Sequence, residues 1–144
     1  MKLNLGGGDL KIKGFTNVDL SDSADKKWDL NKYPYPFKDG SVEHILAFHI
    51  VEHLEKPMEF FKECYRMLCT DGKMEIRVPH CSALGGAYGT FEHLHHFHEF
   101  AINDLIGVWK SSTFPYKFRL ISTEIKRGRI MFWRKYEIIW KIQK

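Results

Sequence analysis

No stretch of this chain approaches the roughly 20 consecutive apolar residues that a membrane-spanning helix needs, so no membrane partner is expected. Cysteine is scarce as well. Cys64, Cys69 and Cys81 are odd in number and lack the spacing of a disulfide framework, which fits reduced thiols. The first glycine falls at position 6, before the apolar segment of a secretory leader could be built, and a cytoplasmic location is the expectation. Neither His-Glu-x-x-His nor Cys-x-x-Cys occurs, so no metal site is assigned.

What is present fits one globular unit. The 144 residues suffice for a single core, and 1–144 is expected to be one domain with little room for a separate substrate domain. The net charge of +4 conceals a division. Residues 1–100 carry 12 Lys and Arg against 15 Asp and Glu, whereas residues 101–144 carry 10 against 3. Such a basic end can meet an anionic partner, or it can serve as the solvated face of alternating strands.

The stretch that organises the chain is Lys2-Leu3-Asn4-Leu5-Gly6-Gly7-Gly8-Asp9, a short apolar strand running into three glycines. Glycines at a strand end let the backbone turn tightly and approach a ligand without a Cβ in the way. Asp19 stands eleven residues after Gly8, near the end of a second strand, Thr16–Leu20. In open α/β sheets an acid at that strand tip commonly takes ribose hydroxyls, so the pairing suggests a nucleoside cofactor. An ordinary β-turn is the alternative for the glycines alone. The spacing falls short of the roughly 20 residues of a dinucleotide fingerprint, so the first crossover must be abbreviated.

Further on, Ser21–Lys26 can form one helical turn and Lys27–Leu30 a third short strand with Asp29 near its tip. Tyr33–Ser41, with two prolines and Asp-Gly-Ser, reads as a loop. Val42–Phe48 contains Ile45-Leu46-Ala47-Phe48, an apolar run suited to a central parallel strand. Pro57 opens a helix, Met58–Leu68, whose Phe60, Phe61, Cys64, Met67 and Leu68 recur at helical spacing. Asp71-Gly72 closes that connection, and Lys73–Pro79 is the next strand. His80–Phe100 is a loop-like stretch with five histidines, Ile102–Trp109 a short helix, and Lys117–Ile125 and Arg129–Ile142 two alternating strands.

Taken in order, Leu3-Asn4-Leu5-Gly6-Gly7-Gly8, Asn17-Val18-Asp19, Asp29-Leu30, the Pro34–Val42 segment, His49-Ile50-Val51-Glu52-His53-Leu54 and Val78-Pro79-His80 resemble a small class I S-adenosylmethionine-dependent methyltransferase of type 11. The likeness spans roughly residues 2–100. It implies an α/β fold with a Rossmann-like doubly wound sheet, mostly parallel with an antiparallel C-terminal strand, and S-adenosylmethionine as cofactor. This chain departs from the pattern in its shortened first crossover, in having no helices before the first strand, and in Cys69-Thr70-Asp71-Gly72 where relatives tend to have Lys-Pro-Gly-Gly. Gly7 stands where cysteine is frequent. A partner subunit or a homodimer could replace a missing lid.

The same resemblance implies site residues. Leu5, Gly6, Gly7 and Gly8 would bring bare backbone to the aminoacyl and ribose portion of the cofactor, and Asp19 with Leu20 would meet the ribose hydroxyls. Asp29 would lie near the adenine amino group, with the Leu30 backbone at the ring edge. His49 would face the reactive end, where it could orient substrate or take a proton; a core-edge imidazole bonded to a carbonyl is the alternative. Methyl transfer from a sulfonium is an in-line displacement that asks chiefly for alignment and exclusion of water. His80 and His93 are the preferred further candidates for a base. For the Glu92–His98 cluster, metal binding and surface packing stay open beside that role.

The expected reaction is methyl transfer to a small-molecule or glycan-type acceptor. An RNA or DNA methyltransferase using the basic C-terminal strands is not favoured, because no Asn-Pro-Pro-Tyr-like motif and no catalytic cysteine motif occurs. A non-catalytic S-adenosylmethionine-binding partner subunit is the remaining reading.

Overall fold

The apolar run Ile45-Leu46-Ala47-Phe48 stands at the middle of a seven-stranded sheet. It belongs to β4 (Val42–Phe48), which pairs in parallel with β1 (Lys2–Leu5) on one side and β5 (Leu68–Pro79) on the other. The computed structural model describes residues 1–81, 94–95, 97–106, 114–130 and 133–144. With β2 (Thr16–Asp19), β3 (Lys26–Lys27), β6 (Arg119–Ile130) and β7 (Trp133–Gln143), the order is β3-β2-β1-β4-β5-β7-β6. β1 to β5 are parallel; β7 is inserted antiparallel between β5 and β6.

The first crossover, residues 6–15, is abbreviated as the glycine-to-Asp19 spacing requires, and it contains turns without a helix. A parallel connection normally needs a dozen or more residues to hold its helix. Residues 20–25 are shorter still and bend without the helical turn expected there. The third strand ends sooner than Lys27–Leu30, at Lys27, and the cause is local. The Asp29 carboxylate accepts the backbone N–H of Asn31 at 2.9 Å, which turns the chain away from the sheet.

Helix α1 (Pro57–Met67) begins with proline at its first turn, where a missing N–H costs nothing. Phe60, Phe61, Cys64 and Met67 recur along its buried side. At the far end the Lys144 ammonium donates to the carbonyls of Tyr65 and Leu68, both at 2.8 Å, and so meets the negative end of the helix. β5 starts five residues before the expected Lys73. Asp71 keeps a left-handed φ of 63° inside the strand, and the register slips between Val42 and His44 on the partner, so Asp71-Gly72 is an irregularity within a strand rather than a turn between elements. After β5 come a 3₁₀ turn, Glu99–Ile102, and the single turn α2 (Asn103–Ile106).

Register divides the sheet into two unlike faces. Cross-strand partners share a face, and the rows Leu3–Ile45–Met74–Ile142 and Leu5–Ala47–Ile76–Trp140 are wholly apolar. They are buried in one cluster with Phe60, Phe61, Cys64 and Met67 of α1. The intervening rows are Lys2–His44–Lys73–Gln143, Asn4–Leu46–Glu75–Lys141 and Phe48–Arg77–Ile139. Leu46 and Ile139 are only 6 % and 2 % exposed, yet neither joins that cluster. On this second face Arg77 lies 4.1 Å over the Phe48 ring and pairs with Glu75 at 2.6 Å, while Lys2 and His44 flank Phe15. Among the described residues no helix crosses between β1 and β2, β2 and β3, or β3 and β4.

Candidate functional site

The glycine loop is built against two neighbours. Gly6 has a left-handed φ of 71°, and a Cβ there would run into the Ile50 side chain, so only glycine fits between β1 and the segment after β4. Gly7 packs against the amides of Asn4 and Asn17, which bond one another at 3.2 Å. Gly8, with φ 53°, faces open space and donates its N–H to Asp19 Oδ2 at 2.8 Å. Ser21 N–H donates to Asp19 Oδ1 at 2.9 Å. Each oxygen of an ionised carboxylate has two lone pairs, so Asp19 held in this way keeps acceptor capacity for a hydroxyl donor.

Beyond the ends of β2, β3 and β4 lies a cleft of about 170 Å³ lined by Asp19, Leu20, Trp28, Asp29, Leu30, Asn31, Ile50, His53 and Leu54. Five expectations meet here: Asp19, Leu20, Asp29 and Leu30 line it directly, and Gly6 presses on Ile50 in its wall. The Leu5 side chain is core, so only its backbone is at the site. The cleft walls are tied from behind. Tyr35 hydroxyl donates to the Leu30 carbonyl at 2.7 Å, and Glu55 N–H donates to Asn31 Oδ1 at 3.0 Å. Tyr35 is held by Glu63, which accepts its N–H at 2.6 Å, and by Arg66, which donates to its carbonyl at 3.0 Å. Burial pushes the Tyr35 phenol far above its usual range, so it stays a donor. Asp29 both lines the cleft and caps its own turn.

His49 stands apart from this cleft, at the end of β4 on the β7 side, with a left-handed φ of 54°. Its Nε2 meets Glu137 Oε1 at 2.7 Å, a contact in which the nitrogen must carry the hydrogen because a carboxylate only accepts. Its Nδ1 is 3.4 Å from Glu52 Oε1. The Glu52 carboxylate raises the imidazole above its ordinary range, burial opposes this, and Glu137 adds to the rise. The alternative of a histidine tied to a carbonyl does not describe these contacts. His80 follows β5, donates its N–H to the Tyr136 carbonyl at 3.0 Å, and sets its ring edge-on to Tyr136. It does not line the cleft. His93, with Glu92 and His96, lies outside the described residues. Among the described residues no group of three His, Cys, Asp or Glu side chains could hold a metal ion, and no helix is long and apolar enough to cross a membrane.

Sequence reasoning did not assign Trp28, Asn31, Ile50 or Glu137 to the site. Ile50 could have been found from the motif that follows β4. Glu137 could not, since it lies 88 residues from His49. A second cleft, about 230 Å³ and largely apolar, lies between the start of α1, the Ala101–Leu105 region and Trp140, with His95 at its edge. His95 Nε2 bonds the carbonyl of Leu54, a residue of the first cleft, at 2.9 Å.

With this geometry in place, the comparisons are direct. The methyltransferase domain family of type 11 matches residues 13–76. No curated protein matches the sequence. The fold is similar to an S-adenosylmethionine-dependent methyltransferase of Methanosarcina mazei, at TM-score 0.70 and 15% identity over 99% of this chain and 91% of that one. A counterpart from Archaeoglobus fulgidus gives TM-score 0.70 and 16% identity over 99% and 85%. A structure of the Haloferax volcanii Trm112 methyltransferase activator in complex with a methyltransferase gives 0.68 and 13% over 99% and 81%. Residues 13–76 thus match a methyltransferase domain, and the chain shares the fold of these S-adenosylmethionine-dependent methyltransferase structures.

Proposed function

We propose that the cleft beyond β2–β4 holds the adenosine part of S-adenosylmethionine and that the chain passes the methyl group to a small-molecule or glycan-type acceptor. The observation that carries this is the pair of carboxylates at the ends of one cleft, Asp19 oriented by two backbone N–H groups and Asp29 fixed in its own turn. The donor set fits: acceptor oxygens suit ribose hydroxyls and an adenine amino group, and no atom stands within 4 Å of where a Cβ on Gly8 would be. Leu30 would offer its backbone to the ring edge. When bound, the cofactor supplies an electrophilic methyl group. His49, His80 and, in the following loop, His93 are the residues of this chain proposed to orient the acceptor or take its proton. The whole chain, 1–144, acts as one domain in this reading.

Calorimetry with S-adenosylhomocysteine tests the cleft. The intact chain binds it, and Asp19→Ala weakens binding by more than the roughly tenfold that 1.4 kcal/mol represents; failure of the intact chain to bind would sink the reading.

A nucleic-acid acceptor has one specific support. β6 and β7 pair past the end of β5, whose last partner is Glu137, and carry exposed Lys126 and Arg127 along that ribbon. Binding of a single-stranded oligonucleotide that falls steeply between 50 and 200 mM salt would favour it. A partner subunit, as in the Haloferax complex, or a second copy of this chain is proposed only should the isolated chain bind cofactor without turnover.

A further inference from the structure

Among the described residues Glu52 is the one carboxylate buried with no hydrogen-bond partner for its side chain. It is 1% exposed, and neither oxygen accepts a hydrogen bond; the nearest polar group is His49 Nδ1 at 3.4 Å. Only its main chain is satisfied, with the Glu52 carbonyl accepting from Leu94 and His95. Burying a carboxylate without a donor is costly, and such groups persist where function needs them. Glu137 closes on the other nitrogen of the same ring, so one imidazole that is 37% exposed at its side chain is held between two acids from different elements. Among the described residues the other charged or titratable groups on the adjoining strand ends are Arg77, engaged by Glu75 and Phe48, His80, set against Tyr136, and Lys126, the cross-strand partner of Glu137 on β6. Two carboxylates thus face one imidazole, and with both acids ionised and the ring neutral these three side chains carry two negative charges.

We propose that His49, Glu52 and Glu137 form an anionic seat for the methyl acceptor and that the acceptor is an amine arriving as its ammonium ion. This rests on the methyltransferase reading of the site and narrows its substrate. A carboxylate or phenolate acceptor would add a third negative charge beside two acids. An ammonium removes one. To react, the amine gives a proton to neutral His49 at Nδ1, the ring atom that carries no hydrogen while Nε2 is bonded to Glu137; Glu52 then faces the new N–H. The freed nitrogen lone pair forms the N–C bond as the C–S electron pair stays on sulfur, so positive charge leaves sulfur and ends on the methylated nitrogen. Fixed carboxylates favour charge that develops beside them, because they need no reorganisation. Glu52 acts through His49 and is a positioning residue.

Phenethylammonium and phenylacetate, alike in size and opposite in charge, test the seat. Each is titrated into the intact chain saturated with S-adenosylhomocysteine, and the His49 ring resonances are read by NMR. Phenethylammonium is expected to shift them and phenylacetate to leave them unchanged. Glu52→Gln and Glu137→Gln are each expected to weaken the ammonium about tenfold and to lower the His49 titration midpoint, which a packing role would not do. A silent His49, an equal response to phenylacetate, or unchanged affinity in both variants overturns the proposal. Prior calorimetry separates the failures: no S-adenosylhomocysteine binding overturns the cofactor reading and this with it, whereas binding with a silent His49 overturns the seat alone.

Discussion

The two faces of the sheet solve the same problem differently. On one, rows of Leu, Ile, Met, Ala and Trp from four strands meet the Phe60–Met67 stripe of α1 in a continuous apolar cluster. On the other, Lys2, His44, Phe48, Lys73, Glu75, Arg77 and Lys141, joined by ion pairs and rings under cations, alternate with the apolar rows beside the buried Asn4, Leu46, Ile139 and Gln143. The chain thus spends its helix on one side and its charge on the other. The cleft residues stand at the strand ends, beyond both arrangements.

Breaking the apolar face should cost most. Phe60→Ala is expected to lose about 3–5 kcal/mol in denaturant unfolding, the range for a buried aromatic removed from a core. Gly6→Ala comes next, because a left-handed residue other than glycine costs about 1–2 kcal/mol and the new methyl must also displace Ile50. Its sharper readout is loss of S-adenosylhomocysteine binding, since the loop and the cleft wall move together. On the charged face, Arg77→Ala should cost no more than about 1 kcal/mol, as expected of a cation–π contact and an ion pair near solvent. A cost like that of Phe60→Ala would erase the distinction between the faces.

The smallest effect concerns pH. With its folded value raised above the ordinary value of about 6.5, His49 contributes stability that is complete below that pH and is lost as pH rises through the folded value. Turnover that needs a neutral imidazole should climb through the same window. Opposite slopes of melting temperature and rate, both reduced in Glu137→Gln, are the expected result; parallel slopes would remove His49 from the chemistry.

How much of this was legible depended on how local each signal is. β1, β4 and α1 announce themselves, since Leu3-Asn4-Leu5 before glycine, an unbroken apolar run and Pro57 ahead of a helical stripe each act within a few residues. β3 does not, because a two-residue edge strand of lysines has no apolar side to display. Asp71-Gly72 looked like a turn, for the dipeptide is the same whether it joins elements or bends one strand. At the candidate cleft, the proximity of Asp19 and Asp29, with Gly6 against its wall, was expected from spacing and resemblance. The meeting of His49 with Glu137 was not, because it depends on β7 entering beside β5, and the isolation of Glu52 is a property of burial, on which its sequence neighbours are silent.

The uneven covering of the sheet also bears on temperature. Unfolding raises heat capacity in proportion to the apolar surface exposed and lowers it for polar surface, about 12–15 cal/mol/K per residue in ordinary domains. A sheet whose second face mixes charged residues with apolar ones releases less of the first kind and more of the second, so calorimetry should find a value below that range. The stability curve would then be shallow, and the protein would change little in stability between cold and moderately warm conditions.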